Sequence, residues 1–215
     1  MQNQTVTNQP SNNQVILVGT ITSKYTFSHE VFGEGFYTMQ MDIKRNSGAV
    51  DTICCMISDR LADISCDPTG CRVKVHGQFR SYNQQVDGKS HLRLTVFIRE
   101  IENVEETQNS DYNEIELHGF LCKDPIYRVT PKGYEITDLL LAVNHAYRKS
   151  DYIPCICWGR NAKFARQQLI GEKVYIKGRI QSRVYYKRNA NGKQEKQPRI
   201  AYEVSISSIQ KAIDE

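Results

Sequence analysis

Apolar and polar positions along this chain fall into short runs with a period of two, broken by glycine and by small polar residues. Runs at 15–22, 36–44, 51–57, 72–82 and 91–102 each predict a β-strand. A second series at 114–122, 134–145, 151–158, 173–186 and 199–210 predicts five more. Between the third and fourth run of each series the period changes. "SDRLADI" (58–64) and "NAKFARQQL" (161–169) read as short helices, with Ser58 and Asn161 at the N-cap position. The segment "RVYYKRNANGKQEKQPRIAYEV" reads as a long hairpin turning at Asn191-Gly192, and "YNQQVDGKSHLRL" as a shorter one turning at Asp87-Gly88.

The two series are copies of one unit. At an offset of about a hundred residues, "VILVGTI" (15–21) falls on "IELHGFL" (115–121), and "DTICCM" (51–56) on "DYIPCI" (151–156). "GCRVKVHGQFRS" (70–81) falls on "GEKVYIKGRIQS" (171–182) with one residue of slippage, so that Gly19 matches Gly119 and Gly77 matches Gly178. A period this long indicates tandem domains rather than a solenoid. Five strands with a helix between the third and fourth is the order of an oligonucleotide/oligosaccharide-binding (OB) barrel, and paired glycines suit its strongly coiled strands. The expected fold is therefore all-β with one short helix per domain: two tandem five-stranded OB barrels. The expected boundaries are a polar lead over 1–13, a first domain over 14–105, a linker over 106–113 and a second domain over 114–215.

Composition narrows the class. The chain has 215 residues, 40% hydrophobic and 24% charged, which fits a globular protein; no apolar run approaches a membrane span, and a cytoplasmic, nucleoid-associated location is expected. Seven cysteines without a C-x-x-C pair read as buried reduced thiols, and Cys66 and Cys71 lack partners at zinc-ligand spacing, so no metal or cofactor is expected. Scattered histidines, with no nucleophile motif or phosphate loop, argue against an enzyme. Charge is unevenly divided. Residues 1–110 hold ten Lys and Arg against twelve Asp and Glu, whereas residues 111–215 hold eighteen against twelve. Within 173–199, nine cations face only Glu195, a field that attracts polyanions.

The stretch "DYIPCICWGR" (151–160) carries the only tryptophan, Trp158, where a strand should end. Around it, "LHGFLCKDPIYRVTPKGYEITDLLLAVN" (117–144), "DYIPCICWGRNAKFARQQL" (151–169) and "GEKVYIKGRIQSRVYYK" (171–187) hold a D-P-x-x-R-x-T-P-x-G loop, an L-A-V-N strand, a W-G-R-x-A turn into a helix and a V-x-I-x-G-R-I-x-S-R strand leading to an aromatic. In this order they resemble the bacterial-type single-stranded DNA-binding proteins over roughly ninety residues of the second half. The resemblance implies that Tyr147, Tyr152, Trp158 and Tyr185 stack on bases. Physics agrees, since every base offers a π-face and stacking on an aromatic contributes about 1–3 kcal/mol without reading sequence. Arg179, Arg183, Lys187, Arg188, Lys193 and Lys196 are the expected phosphate contacts, making affinity steeply salt-dependent.

The first half shares the skeleton but departs at these positions: Thr52 stands for Tyr152, Ser58 for Trp158 and Gln84 for Tyr185. It keeps Tyr25, Phe27, Phe32, Phe36, Tyr37 and Tyr82, of which several are expected in the core. Many members of the resembled family end in an acidic, partner-recruiting tip. None follows "SIQKAIDE": either recruitment by that route is lacking or the chain as given ends short of it. One-domain members assemble as tetramers, so a two-domain chain is expected to form a homodimer with four barrels, pairing through "QVILVGTI" (14–21) and "EIELHGF" (114–120), or else to be a monomer whose barrels pack internally. The expected function is protection and organisation of single-stranded DNA in replication, recombination or repair. The alternatives are an RNA-binding tandem OB protein and a structural or primosome-type adaptor.

Overall fold

A computed structural model describes residues 11–86, 88–105, 110–145, 149–188 and 194–212. The first unit contains β1 (Asn13–Ile21), β2 (Thr26–Val31), β3 (Glu34–Lys44), β4 (Val50–Ser58), β5 (Arg72–Val86) and β6 (Lys89–Asn103). The second contains β7 (Tyr112–Leu121), β8 (Ile126–Val129), β9 (Glu135–His145), β10 (Lys149–Trp158), α1 (Arg160–Ala165), β11 (Lys173–Arg188) and β12 (Gln194–Lys211).

Each unit closes on itself. The first runs β3-β4-β6-β5-β1, with β1 returning to β3; the second closes by β7 pairing β9. The third and fifth barrel strands run parallel, Cys55 opposite Val96 and Cys155 opposite Val204. These are two tandem OB folds. Alternation along every strand sends one row of apolar side chains inward. Leu17, Met41, Ile53, Phe79 and Val96 fill one barrel, and Leu117, Leu141, Ile153, Ile180 and Val204 the other. The four matched glycines mark where strands cross closely. A Cβ at Gly119 would lie 2.7 Å from the Ala142 carbonyl oxygen, and at Gly19, Gly77 and Gly178 it would press on the carbonyls of Asp42, Phe97 and Ser205. The ladder also shifts register at His76/Gly77 and at Lys177/Gly178, as expected of bulged barrel corners.

Two expectations are corrected. Over the segment 58–64, Ser58 ends β4 and residues 59–64 form turns and bends rather than a helix. Its polar side chains bond locally: the Asp63 carboxylate accepts from the Ser65 N–H (3.0 Å) and hydroxyl (2.6 Å), and Ser58 Oγ accepts from the Arg60 N–H (3.1 Å). Such local bonds compete with the backbone bonds of a helix. In the second unit a helix does form, but its cap is Gly159 (φ 55°) rather than Asn161, whose amide instead donates to the Ser207 carbonyl (2.9 Å). Ala162 and Ala165 pack that helix onto the barrel.

The first strands also behave differently from a homodimer seam. β1 and β7 pair antiparallel with each other inside the chain, Asn13 opposite Leu117 and Val18 opposite Tyr112. The two barrels thereby share one twelve-stranded sheet, ordered β2-β3-β4-β6-β5-β1-β7-β11-β12-β10-β9-β8. Both apolar edges are consumed within one molecule, so neither is open to a second copy.

Candidate nucleic-acid interface

β10 sends Ile153, Cys155 and Cys157 into the barrel, so the residues of opposite parity face out. Tyr152 (47% exposed) and Trp158 (43%) lie on that outer row. Six residues apart on one strand, they are separated by roughly 20 Å. Trp158 is thus a surface aromatic at the strand's end, opposite Ile136 of β9. Tyr185 (37% exposed) extends beyond the barrel on β11, opposite Arg199 of β12. Since β12 runs parallel to β10, Tyr185 lies toward the Tyr152 end of β10. The Arg183 guanidinium stands 5.9 Å from the Tyr185 ring centre and 3.7 Å from Glu203. Three of the four sequence-selected aromatics therefore present exposed rings. Tyr147 lies outside the described residues.

The selected cations divide. Arg183 is exposed on the hairpin beside Tyr185. Lys193 and the side chains of Lys187, Arg188 and Lys196 lie outside the described set. Arg179 is elsewhere: it lines a cavity of about 470 Å³ between the units, with Arg45, Asp51, Asp111 and Tyr112. Its Nε is buried without a hydrogen-bond partner, and burial followed by the nearby Arg45 charge lowers its pKa. Cations missed by sequence reading stand at the Trp158 end of the site. Lys163 of α1 pairs with Glu135 (3.0 Å), and Arg166 lies 5.0 Å from the Tyr127 ring centre. The Tyr127 hydroxyl donates to Glu135 (2.6 Å), which with Lys163 holds the Glu135 carboxyl below its ordinary pKa. The i, i+3 spacing of Lys163 and Arg166 was the available signal.

Tyr152 is also held from across the domain boundary. Its backbone N–H donates to Ser81 Oγ (2.8 Å), while the Ser81 N–H donates to the buried Asp151 carboxylate (2.7 Å). Arg80 pairs with the same carboxylate at 3.0 Å. The mirror arrangement joins Thr52 N–H to Ser182 Oγ (3.2 Å) and Ser182 N–H to buried Asp51 (3.0 Å), which Arg45 grips with two 2.5 Å bonds. The repeated aspartates thus clamp the two folds together.

The thiols are unpaired. Burial pushes Cys157 up to about 12 and also raises Cys55 and Cys155. Cys66 and Cys71 are exposed rather than buried, because they lie in the turns between β4 and β5. Among the described residues no three His, Cys, Asp or Glu side chains gather as a metal site, and no helix is long and apolar enough to cross a membrane.

Comparison with known proteins gives these features a context. Residues 112–211 match the family model of the Single-strand binding protein family. Single-stranded DNA-binding protein 1 of Staphylococcus aureus (strain COL) is 38% identical over 80 residues, 34% of this chain and 48% of that protein. Single-stranded DNA-binding protein A of Bacillus subtilis (strain 168) is 36% identical over 80 residues, 34% of this chain and 46% of that protein. The chain spans about half the length of the curated relatives it matches. The wild-type single-stranded DNA binding protein from Thermus aquaticus superimposes with a TM-score of 0.75 over 94% of both chains at 20% identity, which shows a shared two-barrel fold. The second unit, residues 112–211, thus matches the single-strand binding protein family, and the chain folds as two OB barrels in tandem.

Proposed function

We propose that this chain binds single-stranded DNA without sequence preference and holds it during replication, recombination or repair. The observation carrying this reading is the outer row of β10, where Tyr152 and Trp158 offer exposed rings on the unit matched by the family model. Tyr147 and Tyr185 extend the stacking surface. Arg183, beside Tyr185, neutralises phosphate, and Lys187, Arg188, Lys193 and Lys196 are assigned the same role from the sequence; Arg179, in the cavity between the units, is not. Stacking on flat rings reads no base edge, which accounts for the lack of preference. No catalytic step is required for this role. A homodimer presents four barrels, and it associates through a surface other than the first-strand edges, which are already paired. Sedimentation then gives about 49 kDa, twice the 24.7 kDa chain.

Titration with oligo-dT tests the reading. Trp158 fluorescence falls on binding, and added salt reverses it. Unquenched fluorescence at saturating DNA, or equal affinity at low and high salt, refutes it. A matched RNA oligomer binding as tightly would move the assignment to RNA.

A further inference from the structure

The first unit lacks aromatics at Thr52 and Ser58, but its outer face is not bare. The ladder registers of the two units match residue for residue, so equivalent positions can be read directly. Phe36 pairs with Ser58 as Ile136 pairs with Trp158. Cys55 opposes Val96 as Cys155 opposes Val204, which makes Phe97 the counterpart of Ser205 and Arg99 that of Ser207. In the second unit one large ring, Trp158, stands on the third barrel strand, with small residues on the fifth. In the first, the third strand carries small Ser58, and the rings have moved to its two neighbours.

These rings form a continuous set. Phe36 and Phe97 lie 5.7 Å apart between centres, and His29 stacks on Phe36 at 5.1 Å and 18°. The Arg99 guanidinium lies 5.1 Å over Phe97, with no carboxylate among its described partners. His29 and Arg99 are exposed, and both phenylalanines are half-buried. Two neighbouring carboxylates are engaged: Glu34 accepts from the Ser58 hydroxyl (2.6 Å) and pairs with Arg60 (3.3 Å), and Asp59 accepts from the Gly35 N–H (2.9 Å). The other end of the face is occupied, because Ser182 bonds Thr52 and the Tyr202 hydroxyl, its pKa raised by burial, lies near Cys54. Among the described residues, the end bearing Phe36 and Phe97 carries no such cover.

We propose that Phe36, Phe97, His29 and Arg99 form a second single-strand platform on the first OB fold, stacking bases and placing one cation against a phosphate. It rests on the reading that the chain binds single strands. A strand longer than one barrel's site, about 4–16 nucleotides, runs from the Trp158 platform to this one.

The test places the probe on the new platform. In full-length protein carrying Trp158→Phe, the substitution F36W keeps an aromatic and supplies the sole indole. Oligo-dT of about 30 nucleotides, chosen to exceed one barrel's site, should quench it, with binding followed in parallel by anisotropy. An indole left unquenched while anisotropy reports saturation overturns the proposal. No anisotropy change with any oligomer would remove the single-strand reading itself, and this inference with it. With Trp158 intact, F36L together with F97L preserves apolar packing but removes both rings. It should weaken the long oligomer about tenfold or more while leaving Trp158 quenching by an oligomer of about 8 nucleotides unchanged. Equal affinities for both lengths in the double variant and the parent protein would overturn the proposal.

Discussion

The two OB units are copies of one skeleton that differ in what they place outside it. Inward residues correspond: Ile53 with Ile153, Cys55 with Cys155, Val75 with Ile176 and Val96 with Val204 are all buried. The clamp aspartates correspond as well, Asp51 and Asp151 each reaching a serine N–H of the other unit. The outer rows do not. The second shows Tyr152 and Trp158, whereas the first shows Thr52, half-buried against Asp42 and Ser182, and Ser58, buried beneath its bond to Glu34. Barrel closure constrains inward positions in both copies alike, because each must fill the same volume at native density. Outward positions answer to the neighbouring unit and to ligand, and the two units have different neighbours. The Thr52 end of the first face meets the second unit's β11–β12 hairpin, which is longer than its counterpart.

Four measurements would break or sharpen this comparison. The largest effect is expected at the clamps. Asp51→Ala strands Arg45 and leaves the Ser182 N–H without an acceptor, at a cost of about 3–5 kcal/mol. Asp151→Ala loses a single arginine bond and should cost less. Chemical denaturation of both variants ranks them, and the reverse order would show that the two-bond Arg45 grip is not the stronger clamp. Next comes stacking. Trp158→Ala, Tyr152→Ala and Tyr185→Ala should each weaken oligo-dT binding by about 1–3 kcal/mol, with Ser58→Ala leaving it unchanged. Wild-type affinity in the Trp158→Ala, Tyr185→Ala double variant would displace the site from β10.

Smaller, and more discriminating, is the serine pair. Ser81→Ala and Ser182→Ala each remove one hydroxyl acceptor, at about 1 kcal/mol of stability. Only Ser81→Ala touches the residue that orients Tyr152, so only it should also weaken DNA binding. Equal binding by the two variants would make the Ser81 bond purely structural. The smallest effect is a pH dependence found at one clamp alone. His145 lies 3.8 Å from Asp151, where Arg45 stands in the other clamp. Burial first, then the Arg80 charge, holds its pKa below the ordinary 6.5. The unfolded chain therefore takes up this proton first. The stabilisation is complete above pH 6.5 and declines as pH falls through that value toward the lower folded pKa. Thermal unfolding against pH shows the slope, and His145→Gln should flatten it.

Tyr152 and Trp158 were selected through the family resemblance; that they share an outer face follows from strand periodicity, since 152 and 158 have the same parity. Arg179 was selected for the same interface on charge alone, yet it lines the cleft between the units. A local cluster of cations does not reveal which face of a coiled, bulged strand each occupies, and the register shift at Lys177/Gly178 lies just ahead of it. The helix over 58–64 was misread because propensity and a capping serine are local signals, whereas Glu34 and Gly35, which engage Ser58 and Asp59, come from a distant strand.

What the sequence by itself determined was the repeat, the barrel order and the glycines at the strand crossings, all of which follow from side-chain period and from steric limits acting within a few residues. Tertiary structure alone decided that β1 and β7 pair with each other, that a serine of one fold orients an aromatic strand of the other, and that Phe36, Phe97, His29 and Arg99 gather on one face. Those outcomes depend on which strands become neighbours across tens of residues. Strand edges satisfy their backbone groups with whichever compatible partner chain closure brings near, and no local pattern names that partner.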